Sequence, residues 1–334
     1  MQVLALLLLF VAWFPLAEAD PNPIELGHVA WERDFELALS KAQQVDRPVF
    51  ILFQEIPGCA TCRNYGQDIL TDPLIVEAIE SLFVPVAIYN NRPGKDAEIL
   101  KSFGEPSWNN PVVRIVNPLQ ADLSPRLSGD YSKAGVIQAM ITALETDGQT
   151  PPPYLSLLLE THQASQSKTE TAVFSMYCFW SGEKGFGDMP GLVASEPGFM
   201  GHKEVVKVEY NPQVISYQEV LAYATEEDIS SHVFVANDQQ AMIANKQEAV
   251  EQTEQGTFRP DHTPKYYLAQ TDYRFVPMTH LQASKANAMI GNRQDPAVLF
   301  SPRQLAILQG VKNKALESSK NLIGVPYLEA FASR

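Results

Sequence analysis

Residues 48–62 read Pro-Val-Phe-Ile-Leu-Phe-Gln-Glu-Ile-Pro-Gly-Cys-Ala-Thr-Cys. The run from Val49 to Phe53 is continuously apolar, which predicts a strand that is buried on both faces. Pro57 and Gly58 then predict a turn, and two cysteines spaced by two residues stand where the next helix begins. This order predicts a βαβ unit that carries a cysteine pair beyond the end of its first strand.

The sequence on either side of this stretch completes a first domain, which we place at residues 20–147. Further strands are predicted at 83–89 and 112–116, with a hairpin partner near Arg126. Helices are predicted at 31–44, 60–69, 74–82 and 136–145. These elements indicate an α/β domain with a small mixed sheet.

A compositional break follows the first domain. Residues 148–170 contain Pro151-Pro152-Pro153 and a polar run, so they are expected to form a linker. Beyond them, apolar strands at 171–176, 204–210 and 232–236 are separated by helical segments, and we place a second domain at residues 171–285.

The remainder of the chain, 286–334, is expected to be a C-terminal helical extension. Ser301-Pro302 is a cap and first-turn pair, and it predicts a helix that continues to Lys314. The stretch that contains Tyr266, Tyr267 and residues 273–279 is expected to be a packing strand or a sheet edge.

Composition and charge limit the function classes. The 334 residues carry a net charge of −14 without a Lys/Arg cluster, which argues against nucleic acid or an anionic membrane as the main partner. Residues 1–19 combine a short apolar run with Ala17-Glu18-Ala19, the pattern of a cleaved signal peptide. No later stretch approaches 18 apolar residues, so we expect a secreted or periplasmic protein with no stable membrane span.

The three cysteines are the candidate reactive groups. Cys59 and Cys62 have the spacing of a dithiol at a helix N-terminus, where the helix dipole favours a thiolate. Half of a zinc site has the same spacing, but no second Cys pair or Cys/His set lies nearby in the sequence, so no metal is expected. A structural disulfide remains an alternative.

The first domain resembles the thioredoxin fold, in the branch that is fused to membrane thiol reductases and occurs in secreted thioredoxin-like proteins. The resemblance covers about residues 31–144 and rests on Asp46-Arg47-Pro48-Val49, Cys59-Ala60-Thr61-Cys62, Asp72-Pro73 and Pro111. It implies that Cys59 attacks, that Cys62 resolves, and that Pro111 is a cis-proline beside the disulfide. The family usually has Trp where Gly58 stands.

Cys178 is at the end of an apolar strand, where a lone cysteine is most often an inert core residue. Its surroundings resemble the A-type peptide methionine sulfoxide reductases, whose signature is Gly-Cys-Phe-Trp followed by Leu-Pro-Gly and Gly-His-x-Glu. The matching residues are Cys178-Phe179-Trp180, Glu183, Met189-Pro190-Gly191, Gly201-His202-Lys203-Glu204 and the run from Tyr210 to Tyr217. The resemblance covers about residues 171–252 and implies an α+β sandwich fold for the second domain.

The resemblance implies that Cys178 attacks the sulfur of methionine S-sulfoxide and that Glu204 protonates the departing oxygen. Phe179 and Trp180 would hold the substrate methyl group, although two aromatic residues could also simply pack a core. A second thiol must then capture the sulfenic acid on Cys178, and the Cys59/Cys62 pair is the only internal candidate. The expected partners are oxidised proteins or peptides and, optionally, an external thiol reductant, with no cofactor because thiols supply the electrons.

Two departures separate this chain from the family. Gly198-Phe199-Met200 runs directly into Gly201, and a later segment is shortened to residues 227–231, so both oxygen-binding tyrosines of the family are absent. Tyr177, Tyr266 or Tyr267 are candidate replacements.

Two further hypotheses stand beside the sulfoxide reductase. In one, the chain is a thiol-disulfide oxidoreductase that uses only Cys59/Cys62, and its C-terminal domain binds clients without catalysis. In the other, both domains form an interaction scaffold and Cys59–Cys62 is a structural bridge.

Overall fold

The computed structural model describes residues 22–109, 111–247, 251–254, 256–313 and 320–333. The predicted signal peptide, 1–19, lies outside these ranges, so its cleavage stays a prediction. Within them, no helix combines the length and the apolar composition that crossing a bilayer requires.

Helices and strands alternate along most of the described chain. The α-helices are α1 (Phe35–Val45), α2 (Ala60–Asp68), α3 (Pro73–Leu82), α4 (Lys95–Ser102), α5 (Lys133–Thr146), α6 (Pro153–Gln166), α7 (Phe179–Gly185), α8 (Tyr217–Glu226), α9 (Asp238–Ala244), α10 (Tyr266–Ala269), α11 (His280–Gly291), α12 (Pro302–Lys312) and α13 (Tyr327–Ala332). The strands are β1 (Val49–Gln54), β2 (Val84–Tyr89), β3 (Val112–Val116), β4 (Leu127–Ser128), β5 (Glu170–Ser175), β6 (Leu192–Met200), β7 (Lys203–Tyr210), β8 (His232–Val235), β9 (Glu251–Glu254) and β10 (Phe258–Pro260).

The first domain is built on a four-stranded mixed sheet of order β2-β1-β3-β4. Strand β1 pairs in parallel with β2 and antiparallel with β3. All six of its residues are buried because the sheet is covered on both faces: Phe50 and Leu52 belong to one apolar cluster, and Ile51 and Phe53 belong to another. The predicted βαβ unit is therefore present.

The second domain contains a six-stranded sheet of order β10-β6-β7-β5-β8-β9. Its pairs are antiparallel except for β8 and β9. Strand β6 is not among the sequence predictions because Pro197 and Gly198 interrupt its β-propensity, yet it pairs with β7 along nearly its whole length. Pairing with a neighbouring strand thus overrides weak local preference.

The segment expected to be a linker is largely a helix. In α6, Leu155 and Leu158 pack in the core of the first domain, and Leu157 packs in the core of the second. Pro152 and Pro153 fit this role because proline is tolerated at a helix start. The prediction of a linker is wrong for residues 153–166, since this helix contributes to both cores.

The C-terminal extension also differs from expectation. Helix α11 crosses the predicted boundary at 285/286, and a capping box of Thr279 and Gln282 starts it. The stretch expected to be a strand forms α10 and a 3-10 turn, 272–275. Helix α12 begins at Pro302 as predicted, while α13 buries Phe331 in the core of the first domain.

Candidate active sites

The dithiol lies in the loop and first helical turn that follow β1. Cys59 is the N-cap residue of α2 and is exposed, whereas Cys62 lies in the first turn and is buried. Both are free thiols, with 3.3 Å between the two Sγ atoms. Pro111 directly precedes β3, whose first residue Val112 pairs with Phe53, so it lies at the same end of the sheet. Its peptide bond to Asn110 falls outside the described residues, so the cis geometry stays a prediction.

The two thiols differ in acidity because their surroundings differ. A hydrogen bond from the Cys62 backbone N–H lowers the pKa of Cys59 below that of an ordinary thiol. Burial, followed by the hydrogen bond with Cys59, raises the pKa of Cys62 to about 11. The exposed thiol is thus the one suited to attack, and the buried thiol is suited to act second.

Buried polar groups fix the loop that carries Cys59. The Glu25 carboxylate accepts a hydrogen bond from the Gly58 N–H at 2.7 Å, and Gln54 Nε2 donates to the Cys62 carbonyl at 3.1 Å. A Cβ on Gly58 would lie 2.3 Å from the Glu55 carbonyl and 2.5 Å from Cys62 Cβ. Glycine replaces the family's tryptophan here because no side chain fits.

Glu55 is a site residue that the sequence did not reveal. One of its carboxylate oxygens and the sulfurs of Cys59 and Cys62 all lie within 4.8 Å of one another. A carboxylate within this distance can accept the proton of a thiol through one bridging water, and the three groups together form a ligand set that could coordinate a metal ion. Only the fold brings Glu55 close, because the backbone doubles back between it and the cysteines.

The second site is at the end of β5, where the chain turns into α7. Cys178 is the half-buried N-cap residue of α7. The Glu204 carboxylate on β7 accepts a hydrogen bond from the Phe179 N–H at 2.9 Å. Strands β5 and β7 are neighbours in the sheet, and the Met176 N–H donates to the Glu204 carbonyl at 3.1 Å. The structure therefore brings the predicted acid next to the predicted nucleophile.

Aromatic side chains line this site. Phe179 contacts Trp180 and Phe199, with ring centroids 5.5 Å and 5.2 Å apart. Tyr266 stacks on Trp180 at 4.0 Å and covers one face of the indole. A methyl group must therefore approach the opposite side or the edge of the indole. Phe199 belongs to this cluster by virtue of β6, the strand that the sequence did not predict.

A buried ion pair holds Tyr266 in place. Glu183 on α7 accepts hydrogen bonds from Lys265 Nζ at 2.6 Å and from the Lys265 N–H at 3.0 Å. Asn287 on α11 accepts from the Tyr267 N–H at 3.0 Å. These contacts tie the segment before α10 to the helix that follows Cys178, in a region where both charges are buried.

The part of the site that would bind the substrate oxygen is less complete than the aromatic part. Among the candidate replacements for the missing tyrosines, Tyr177 is fully exposed, and Tyr266 and Tyr267 are half-buried. In the shortened segment, Ser230 Oγ donates to the Ser175 carbonyl at 2.6 Å, which places the segment against the end of β5. The Ser230 hydroxyl of this segment is therefore already hydrogen-bonded to the backbone.

The two domains are joined by specific contacts. Glu77 of α3 accepts hydrogen bonds from Ser301 Oγ at 2.6 Å and from the Arg303 N–H at 2.7 Å, and so caps α12. On α13, the Tyr327 hydroxyl donates to the Asp72 carboxylate. Within the described ranges, no hydrogen bond or ring contact links the dithiol to Cys178.

The fold and the dithiol site together define a thiol oxidoreductase with a thioredoxin-like domain. Residues 30–118 match the family described as "Thioredoxin-like". Two solved structures are also similar to the chain: a DsbH oxidoreductase, at 18% identity and a TM-score of 0.32 over 38% of this chain and 92% of that one, and a thioredoxin from Thermus thermophilus, at 22% identity and a TM-score of 0.32 over 36% and 90%.

Curated relatives extend the comparison. A "Peptide methionine sulfoxide reductase MsrA" from Methanococcus maripaludis strain C5 is 32% identical over 112 residues, which covers 24% of this chain and 71% of the relative. "Peptide methionine sulfoxide reductase MsrA 1" from Nostoc sp. strain PCC 7120 is 29% identical over 149 residues, covering 33% and 91%. The chain belongs to the family of peptide methionine sulfoxide reductase A.

Proposed function

We propose that this chain reduces methionine S-sulfoxide in oxidised proteins or peptides, with electrons from its own dithiol. The observation that carries the proposal is the hydrogen bond between the Phe179 N–H and Glu204, because it holds a carboxyl group at the peptide bond next to the Cys178 thiol. Family membership supports the same assignment.

The first step transfers oxygen from the substrate to the enzyme. Cys178 Sγ bonds to the sulfoxide sulfur while Glu204 protonates the oxygen, and the S–O bond then breaks as the thiol proton completes a water molecule. This water attacks Cys178 Sγ, the Sγ–S bond breaks and the thioether leaves. The proton released returns to Glu204, and Cys178 is left as a sulfenic acid. Trp180, which is half-buried, offers apolar surface to the substrate methyl group, and the buried Phe179 supports its ring.

The second step returns electrons to Cys178. The Cys59 thiolate attacks the sulfenic sulfur, water leaves, and a Cys178–Cys59 disulfide forms. Cys62 then loses its proton to Glu55, attacks Cys59 Sγ and releases Cys178 as a thiol. The net reaction converts a dithiol and a sulfoxide into a disulfide, a thioether and water, and an external thiol reductant completes the cycle.

An assay with dithiothreitol tests the first step directly. Peptides that carry the S or the R epimer of methionine sulfoxide are incubated with the wild-type chain, Cys178→Ser and Glu204→Gln. We expect reduction of the S epimer alone, loss of reduction in Cys178→Ser and slower turnover in Glu204→Gln. Unchanged activity in Cys178→Ser would refute the proposal.

A burst experiment without external reductant tests the relay. A fully reduced wild-type chain is expected to reduce about two sulfoxides, one through the dithiol and one that leaves Cys178 as sulfenic acid. The variant with Cys59→Ser and Cys62→Ser is expected to reduce about one. Equal bursts would show that the dithiol does not supply Cys178, and would leave the external thiol as the sole reductant.

A second candidate function is thiol-disulfide exchange by the dithiol alone. The exposure of Cys59 and its lowered pKa favour it, as does Trp108, which is 81% exposed on the loop that leads to Pro111. Turnover of insulin or glutathione disulfide that needs Cys59, together with no sulfoxide reduction, would select this function over the first.

A further inference from the structure

Arg259 lies in a row of side chains that leads to the Cys178 site. In the second sheet, Arg259 of the edge strand β10 pairs with Phe199 of β6, and Phe199 pairs with Glu204 of β7. Residues directly opposite each other on antiparallel strands project from the same face of the sheet. Arg259, Phe199 and Glu204 therefore share the face on which Glu204 meets the turn after Cys178.

The guanidinium group of Arg259 is available for a ligand. The residue is exposed, its Cζ lies 6.0 Å from the centroid of the Phe199 ring, and one Nη donates to the Gly201 carbonyl at 3.1 Å. No carboxylate in the described residues forms an ion pair with it. Four of its five N–H groups thus have no partner from the protein there.

The proposed reaction needs hydrogen-bond donors close to the sulfoxide oxygen. Attack on the sulfoxide sulfur leaves growing negative charge on the oxygen, next to Glu204, and fixed donors lower the barrier of such steps. The tyrosines that fill this role in the family are absent. Adjacent strands are about 4.8 Å apart, so Arg259 and Glu204 flank the Phe199 ring within reach of one atom placed above it.

We propose that Arg259 is a catalytic residue that binds the sulfoxide oxygen and so takes over the role of the missing tyrosines. The assignment rests on the proposed sulfoxide reduction. The guanidinium donates hydrogen bonds and keeps its protons, because an arginine stays charged at all relevant pH values, while Glu204 supplies the proton. Arg259 leaves the Gly201 carbonyl when it turns toward the substrate.

The chain offers a matched control for Arg259. Lys203 of β7 is also an exposed cation, but it is next to Glu204 in the strand and therefore projects from the opposite face. Its Nζ lies 5.8 Å from the centroid of the Phe234 ring, which belongs to the cluster on that face. Lys203→Gln removes one positive charge from the same sheet without changing Arg259, Phe199 or Glu204.

The test uses the full chain, dithiothreitol and an uncharged substrate, N-acetyl-methionine S-sulfoxide methyl ester. In Arg259→Gln we expect kcat to fall about 10- to 100-fold with KM changed by less than about twofold, since the contact forms mainly in the transition state. Arg259→Lys should keep part of the activity, and Lys203→Gln should match the wild type. Free guanidinium at millimolar concentration should restore turnover in Arg259→Ala.

The outcomes separate the two proposals. A wild-type chain that leaves the sulfoxide unreduced overturns the proposed function and this inference with it. An active wild type with an equally active Arg259→Gln overturns the inference alone. A loss in Arg259→Gln that appears equally in Lys203→Gln, or that guanidinium does not restore in Arg259→Ala, also overturns it, because both results point to charge or structure instead of contact with the oxygen.

Discussion

Cys59 and Cys62 share a turn of one helix and still have different chemistry. Cys59 is exposed and accepts a backbone hydrogen bond, which lowers its pKa, while burial raises the pKa of Cys62 to about 11. The difference assigns the order of events in dithiol exchange: Cys59 loses its proton more readily and attacks first, and Cys62 attacks second.

Alkylation of the reduced protein tests this order. Iodoacetamide reacts with thiolates, so at pH 7 we expect modification of Cys59 well before Cys62. Peptide mass spectrometry of a time course measures the modification rates of both cysteines, and Cys59→Ser is the control. Equal rates at the two cysteines would contradict the assignment.

Glu55 is expected to accept the proton of Cys62. At pH 7 a thiol with a pKa of about 11 is almost entirely protonated, so Glu55→Gln should slow closure of the Cys59–Cys62 disulfide by about tenfold or more. Stopped-flow oxidation of the reduced dithiol measures the rate. Glu98→Gln, an exposed change on α4, is the control, and an equal effect in the two variants would refute the role.

At the scale of elements, a buried ion pair sets the position of the segment before α10. Lys265 has a left-handed backbone (φ 58°) and is 5% exposed, and Glu183 is fully buried. Because an isolated buried charge is costly, each of these residues depends on the other. Their pairing is what brings Tyr266 onto Trp180.

A double-mutant cycle measures this dependence. Lys265→Met leaves the Glu183 carboxylate buried without a cation and should lower the free energy of unfolding by about 3–5 kcal/mol. Adding Glu183→Gln removes the remaining charge, so the double variant should lose less than the single one. Urea unfolding followed by circular dichroism gives the values, and additive losses would contradict the coupling.

Helix α13 is expected to stabilise the chain through one side chain. Phe331 is buried in the core of the first domain, and Leu328 on the same helix is 45% exposed. Phe331→Ala should lower the free energy of unfolding by about 3 kcal/mol, and Leu328→Ala should change it little. Thermal unfolding of both variants measures the effect, and similar shifts in their Tm would argue against docking of α13.

At the scale of the whole molecule, the two domains are packed and not merely tethered. Helix α6 contributes to both cores, and α12 and α13 return to the first domain. The relay proposed between the dithiol and Cys178 therefore depends on a defined arrangement of the two domains.

The interface also predicts a pH dependence of stability. His162 on α6 lies beside Asp72 and Tyr327, and burial lowers its pKa to about 4. Between pH 6.5 and 4 the unfolded chain binds a proton at this histidine and the native chain does not. The free energy of unfolding therefore falls by up to about 3 kcal/mol as the pH drops from 6.5 to 4. Above pH 6.5 His162 contributes no pH dependence.

Comparison with His162→Gln isolates this contribution. Buried carboxyls such as Glu77 also titrate at low pH, but they do so in both proteins. We expect the free energy of unfolding of the wild type to fall more steeply than that of His162→Gln between pH 6.5 and 4.5. Parallel slopes in urea titrations would contradict the assignment.

Local sequence patterns were sufficient for several elements. The apolar run at β1, the turn at Pro57-Gly58 and the cap at Ser301 each act through near neighbours in the chain, and the structure has these elements at the predicted places. The proline run before α6 led to the wrong prediction of a linker, because proline is common both in linkers and at helix starts. Only packing against two cores selects the helix.

The sequence by itself determined the thiol groups, the strand that precedes the dithiol and the pairing of Cys178 with a carboxylate 26 positions later. Tertiary structure alone decided which thiol is buried, that Glu55 lies near both sulfurs, that Phe199 and Tyr266 pack at the second site, and that Arg259 shares the face of the sheet with Phe199. The physical reason is that residue types and periodicity are encoded locally, whereas burial, acidity and the meeting of distant side chains follow from strand register and from the packing of the two domains.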